Sequence, residues 1–170
     1  MHYFTFILPA KTHIKKYITS LYGDPIRVDL KTDIGFVVLN TLASRLECKL
    51  SRGYIDLWQN RFNDKIIFKV PFHYFSITKK EVSPFTFVLL NRYFENQFEK
   101  EFNSYVHKSK NQEGKTIKQS IENFLDTYGI DLDIDISFEA IKKSEYRYRK
   151  TLSKEISRTL SPSQNIATRA

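Results

Sequence analysis

The sequence predicts an α+β fold with a small N-terminal sheet and helices, a long central helix, and an all-helical, helix-turn-helix-like C-terminal part. Three observations predict this class. Alternating apolar residues over 26–30 and 66–72 are typical of half-buried strands. Apolar residues spaced by three or four positions run from 87 to 105 and again from 138 to 160, as in helices with one buried face. Strands and helices mix before position 110, whereas helices dominate after it.

Length and composition set the bounds of this prediction. The 170 residues include 41% hydrophobic and 15% aromatic side chains, which indicates a folded chain. Cys48 is the only cysteine, so neither an intrachain disulfide nor a cysteine-based zinc site is expected. No apolar run reaches the roughly 18 residues of a membrane helix, and the N-terminus does not read as a signal peptide. We therefore expect a cytoplasmic protein with no cofactor, no metal and no membrane contact.

The first elements follow from local chemistry. Residues 2–8 are rich in aromatic and β-branched residues and predict a strand that Pro9 ends. A helix that stops at Gly23 should follow, because one face of it is apolar and holds Ile14, Tyr17, Ile18 and Leu21. Alternation then predicts a short strand over 26–30. Thr32 or Asp33 is expected to cap a second, largely apolar helix that runs to about Leu46.

Two further strands are predicted over 52–58 and 65–72. Pro71 marks the second of them as an edge or a terminating strand, since proline lacks the N–H that a ladder needs. The segment 52–58 faintly resembles the aromatic strand of RNA-recognition motifs. The strand over 65–72 and the helix after it loosely resemble a ribbon-helix-helix unit, in which Lys65 and Lys69 would face a DNA groove.

Ser83 and Pro84 are typical of a helix start, and the long helix is predicted over 84–109. Such a helix must either bridge two parts of the chain or pack against a second copy, so a homo-oligomer formed through it is one expectation. Its apolar stripe comprises Phe87, Leu90, Phe94, Phe98, Phe102 and Tyr105. A break over 111–114 divides the chain into an α+β portion (1–110), a helical nucleic-acid-binding portion (115–160) and a loose tail (161–170).

Charge is distributed unevenly along this basic chain, whose net charge is +8. Residues 113–136 hold six acidic and two basic side chains, whereas residues 137–170 hold eight basic and three acidic ones. A short helix over 115–128 and a connector over 129–135 that carries three aspartates precede the basic helix. The acidic block and the basic helix are candidates to pair with each other when nothing else is bound. An anionic partner is expected overall, with nucleic acid first.

The helix from Ser137 to Leu160 should bury one edge and expose a cationic one. Its apolar stripe holds Phe138, Ile141, Tyr148, Leu152, Ile156 and Leu160. The candidate nucleic-acid-binding residues are Lys142, Lys143, Ser144, Tyr146, Arg147, Arg149, Lys150, Lys154 and Arg158. Those near the helix start (Lys143, Ser144, Arg147) would face base edges. Arg149, Lys150 and Lys154 would hold phosphates, and Tyr146 would contact a phosphate or stack.

This arrangement favours double-stranded DNA as the partner, and the predicted function is to bind that DNA without catalysing a reaction. Signatures of enzymes are missing: the five glycines form no phosphate-binding loop, and no metalloprotease or nucleophile motif is present. The connector is longer than the three or four residues of a standard helix-turn-helix. The alternative is a structural or interaction protein, such as a virion part or a host-factor binder, whose basic face meets an acidic protein.

Three segments carry a family resemblance: KKYITSLYGDPIRV (15–28), IKQSIENFLDTYGI (117–130) and ISFEAIKKSEYRYRK (136–150). Their pattern of apolar and basic positions resembles small uncharacterised proteins of phages and integrated mobile elements in Bacteroidetes-type bacteria. The resemblance implies a mobile-element setting and brings no catalytic residues.

Overall fold

The computed structural model describes residues 2–44, 61–74 and 82–160, and there the chain has the predicted α+β architecture. The predicted strand over 52–58 and the tail from 161 lie outside the described residues. The elements in chain order are β1 (Tyr3–Ala10), α1 (Thr12–Tyr22), β2 (Ile26–Arg27), α2 (Asp33–Ala43), β3 (Asp64–Pro71), α3 (Pro84–Glu113), α4 (Ile117–Thr127) and α5 (Phe138–Leu160). A single turn of 3-10 helix, Phe72–Tyr74, follows β3.

The three strands form one sheet in the order β1-β3-β2. β3 runs antiparallel to β1 over its whole length and parallel to β2. Ile66, Phe68 and Val70 point into the core, as their alternation predicts. Pro71 does end β3, but the strand lies at the centre of the sheet and not at an edge. β3 is paired with β1 along its whole length and with β2 at Phe68 and Lys69, so it lies inside a sheet of its own chain, unlike the strand of a ribbon-helix-helix unit, which pairs with a second copy.

Other strand predictions need correction. Pro9 does not end β1, which continues to Ala10, because β1 lies at the edge of the sheet as far as the chain is described, and a missing N–H is tolerated there. The strand over 26–30 is reduced to Ile26–Arg27, and Leu30 is exposed in a turn in which Thr32 N donates to Asp29 O at 3.0 Å. Phe72 lies beyond β3 and is exposed.

α1 packs on the sheet, whereas α2 packs on α3. α1 ends at Gly23, whose φ of +85° is one that side-chain-bearing residues rarely adopt. Its predicted face is buried except at Leu21, which is exposed. α2 is capped by Thr32, whose hydroxyl accepts from the backbone N–H of Gly35, and it ends at Ala43, earlier than predicted.

α3 connects the two parts of the chain. It has 30 residues, about 45 Å at 1.5 Å per residue, and it ends at Gly114 with φ +64°, beyond the predicted end at 109. It packs against β1, α1, α2, α4 and α5. The face that suggested oligomerisation is buried within the chain at Leu90, Phe94, Phe98, Phe102 and Val106.

One hydrophobic cluster extends from the sheet to α5. Phe124 of α4 meets the rings of Phe98 and Phe102 edge-on, with centroids 5.7 and 5.3 Å apart. Burial of a phenylalanine stabilises a fold by about 1.5–3 kcal/mol, so this aromatic contact fixes α4 on α3. The division of the chain at 110–115 stays a prediction.

Within the described ranges, no helix is both long enough and apolar enough to cross a bilayer.

Candidate nucleic-acid interface

The start of α5 is fixed by the acidic connector. Asp133, which has φ +64°, accepts a hydrogen bond at its Oδ1 from the backbone N–H of Phe138 at 2.9 Å. Ser137 Oγ accepts from the N–H of Ala140 at 3.2 Å. Both contacts satisfy backbone donors that have no partner in the first turn of a helix. A carboxylate at this end also complements the positive pole of the helix dipole.

The other connector aspartates contact α1. Lys16 Nζ lies 2.6 Å from Asp131 Oδ2 and 2.5 Å from Asp135 Oδ2, and these hydrogen bonds raise the pKa of Lys16. Burial alone would raise the pKa of Asp135, but the hydrogen bonds from Lys16 and from the backbone N–H of Asp131 hold it below its usual value. In the described part of the chain, no ion pair joins these aspartates to α5, so the expected pairing of the acidic block with the basic helix is wrong there.

The inner side of α5 packs on α3, with Ile141 buried and Phe138 half-buried against the core. Tyr148 and Leu152 of the predicted stripe are only half-buried, and the side chains of Ile156 and Leu160 lie outside the described part. Glu145 is buried instead, and its carboxylate is 3.3 Å from Arg149 Nε. The burial of Glu145 was not predicted, although its spacing of four from Ile141 and three from Tyr148 puts it on the inner side.

We call the outward row of cations the outer stripe: Lys143, Arg147, Lys150 and Lys154. All four are exposed, and no ion pair involving them occurs among the described residues. The first and the last lie eleven positions apart, which is about 16 Å along the helix. Arg158 continues the row by its spacing, but its side chain lies outside the described part.

Three more predicted residues line a separate feature, which we call the aromatic groove. It lies between the start of α4 and the first half of α5 and has a volume of about 890 Å³. The Nζ atom of Lys142 lies 5.6 Å from the centre of the Phe138 ring, and the Cζ atom of Arg149 lies 5.8 Å from the centre of the Tyr146 ring. The aromatic groove is lined by Ile117, Lys118, Phe138, Glu139, Ala140, Lys142, Lys143, Glu145, Tyr146 and Arg149.

Ser144 lies away from both surfaces. It lines a smaller cavity of about 220 Å³ on the other flank of α5, together with His13 of α1 and Glu95 of α3. The side chain therefore does not share the outer stripe with Lys143 and Arg147. In the helix-turn-helix-like pair, residues 128–137 separate α4 from α5, and both helices pack on α3.

No known protein family, curated protein or solved structure matches the chain. The resemblance to small proteins of phages and mobile elements therefore stays a prediction, and so does the absence of enzymatic activity.

Proposed function

We propose that the protein binds double-stranded DNA without catalysing a reaction, as a regulator or accessory factor of a phage or mobile element. The outer stripe of α5 is the surface that contacts the DNA. The observation that carries the proposal is the exposed row of four cations, none of which has a carboxylate partner among the described residues.

A cation without an intramolecular partner is suited to bind phosphate. It neutralises the phosphate and releases condensed counterions without first breaking an ion pair. The three aspartates nearest in sequence are engaged by Lys16 and by the first turn of α5, so they do not compete for the stripe. The net charge of +8 adds a long-range attraction to a polyanion.

The shape of α5 supports the same partner. After Glu145, none of its described side chains is fully buried, so the second half of the helix is accessible from several sides. A helix with its side chains is roughly 10–12 Å wide, and the major groove of DNA is roughly 12 Å wide. α5 can therefore lie in this groove, where the stripe reaches phosphates and Arg147 reaches base edges.

Charge reversal tests the proposal. Arg147→Glu combined with Lys150→Glu should weaken binding to a short duplex by at least about tenfold in fluorescence anisotropy, because two phosphate contacts become repulsive. The matched control is Lys31→Glu combined with Lys100→Glu, which changes the net charge equally at exposed sites outside α5. Equal affinities of the two double variants, both folded by circular dichroism, would refute the outer stripe as the binding surface.

A further inference from the structure

The aromatic groove and the outer stripe lie on adjacent sides of the same helix. Phe138, Lys142, Tyr146 and Arg149 follow one another at spacings of four, four and three, so they form a row beside the outer stripe. Lys143 belongs to both surfaces, since it lines the groove and also begins the stripe. A DNA backbone held by the stripe would therefore place its nucleotides within reach of the groove.

Part of the lining of the groove is apolar or aromatic, with Ile117, Phe138, Ala140 and Tyr146 contributing to it. Tyr146 as a residue is 54% exposed, which leaves its side chain accessible to a ligand. The Arg149 guanidinium lies against this ring. Aromatic faces and guanidinium planes are the surfaces on which proteins stack unpaired bases, because every base has a π-face.

The charges of the groove favour an anionic ligand. Lys118, Lys142, Lys143 and Arg149 line it together with the carboxylates of Glu139 and Glu145, and Lys118 also lies 3.7 Å from Glu122 beyond the lining. The Glu145 carboxylate is held by Arg149, and Glu139 lies 4.0 Å from Lys142. Lys143 is the lining cation that has no carboxylate partner among the described residues, and a purely apolar ligand would gain nothing from it. A nucleotide has the matching combination of a flat apolar base and a negative phosphate.

We propose that the aromatic groove takes up an unpaired base of the DNA that the outer stripe holds, with Tyr146 as the stacking residue. The protein then prefers a duplex that carries a bulged nucleotide to a fully paired one. This inference rests on the proposed function, because the stripe must first bind the backbone.

The test uses three DNAs of one sequence: a paired duplex, the duplex with one bulged 2-aminopurine, and the duplex with an abasic bulge. The 2-aminopurine bulge should bind about tenfold more tightly than the paired duplex, with quenched fluorescence, and the abasic bulge should lose this gain. Tyr146→Leu should bring the ratio of bulged to paired affinity close to one. Tyr22→Leu, a change at another exposed tyrosine, should leave the ratio as in the wild type.

Several results would overturn the inference. Paired and bulged duplexes that bind equally would refute the groove while leaving the stripe intact, and binding to none of the DNAs would refute both. An abasic bulge that binds as tightly as the 2-aminopurine bulge would show that the protein recognises bending of the duplex and not the base. A dimer that dissociates on Tyr146→Leu would show that a second copy of the chain occupies the groove.

Discussion

Lys16 Nζ lies 2.5 Å from Asp135 Oδ2, and this contact attaches the acidic connector to α1. The same ammonium group reaches Asp131, 115 residues further along the chain. The connector precedes α5 directly, so its position determines whether its carboxylates face the outer stripe. Because Asp131 and Asp135 contact α1 and Asp133 contacts the first turn of α5, the positive charge of the stripe is left available for a partner.

Acid should weaken this attachment. The folded-state pKa of Asp135 lies below its usual 3.8, so its contribution to stability is present above that pH and is lost as the pH falls below about 4. Urea unfolding at neutral pH and near pH 3 should show this loss. Lys16→Met should make the acid loss smaller, whereas Lys118→Met, which removes an exposed pair to Glu122 at 3.7 Å, should not change it. Identical pH profiles for wild type and Lys16→Met would contradict the role of the contact.

His13 should titrate below its usual value of 6.5. Burial of the ring lowers its pKa, and this is the largest effect. The backbone carbonyl of Asp135, 3.2 Å from Nδ1, raises the pKa by less, and the charges of Lys11 and Glu95 act in opposite directions. The neutral ring is favoured in the folded state, so its contribution to stability is present above pH 6.5 and declines as the pH falls below it. NMR titration of the ring protons measures this pKa directly. A value above 6.5 would show that the ring is not buried as described.

Glu101 should control the ionisation of two tyrosines. Its carboxylate accepts hydrogen bonds from the hydroxyls of Tyr17 and Tyr128. Burial of the hydroxyl is the largest cause and the hydrogen bond to Glu101 the second, and together they raise the pKa of Tyr128 to about 12. In a spectrophotometric titration, Glu101→Gln should lower this pKa, because the negative charge that disfavours the phenolate is gone. A Tyr128 pKa near 10 in the wild type would contradict the contact.

The same carboxylate should matter for stability. Glu101→Ala leaves the hydroxyl of the buried Tyr17 without its acceptor, so we expect a loss of about 1–3 kcal/mol in the free energy of unfolding. Glu99→Ala removes an exposed carboxylate from the same helix and is the matched control. Equal effects of the two substitutions in urea unfolding would refute this role of Glu101.

Gly35 should not tolerate a side chain. A Cβ atom at this position would lie 1.9 Å from the backbone oxygen of Asp29, so α2 would have to move away from the turn that precedes it. Gly35→Ala should lower the free energy of unfolding by at least about 1–3 kcal/mol, as overpacking does. Asn40→Ala, at an exposed site in the same helix, should cost roughly 0.5 kcal/mol or less. Urea unfolding of both variants measures these changes. A free energy of unfolding that Gly35→Ala leaves unchanged would contradict the close approach.

Features that depend on a single helix or strand could be predicted from the sequence. The burial of Leu90, Phe94, Phe98 and Phe102 follows from helical spacing within α3, and the exposed row of cations follows from helical spacing within α5. The caps at Thr32 and Ser83 follow from the chemistry of a single side chain. Such features need no knowledge of what lies next to the element.

Features that depend on two elements could not be predicted in this way. The aromatic groove exists because α3 and the connector bring Ile117 close to Phe138 and Tyr146. The ion pairs of Lys16 join positions more than 100 residues apart, and local charge counts suggested a different partner for the acidic block. β3 is central because β2 adds to it in parallel, a pairing that alternation within β3 does not reveal.

The salt dependence of duplex binding tests the central claim most directly. Four or five phosphate contacts predict that the logarithm of the association constant falls with the logarithm of salt concentration at a slope of about −4. Arg147→Gln combined with Lys150→Gln should reduce the size of that slope by about 2, because two counterion-releasing contacts are lost. A slope that is the same in the wild type and in this variant would contradict a DNA-binding role of the outer stripe.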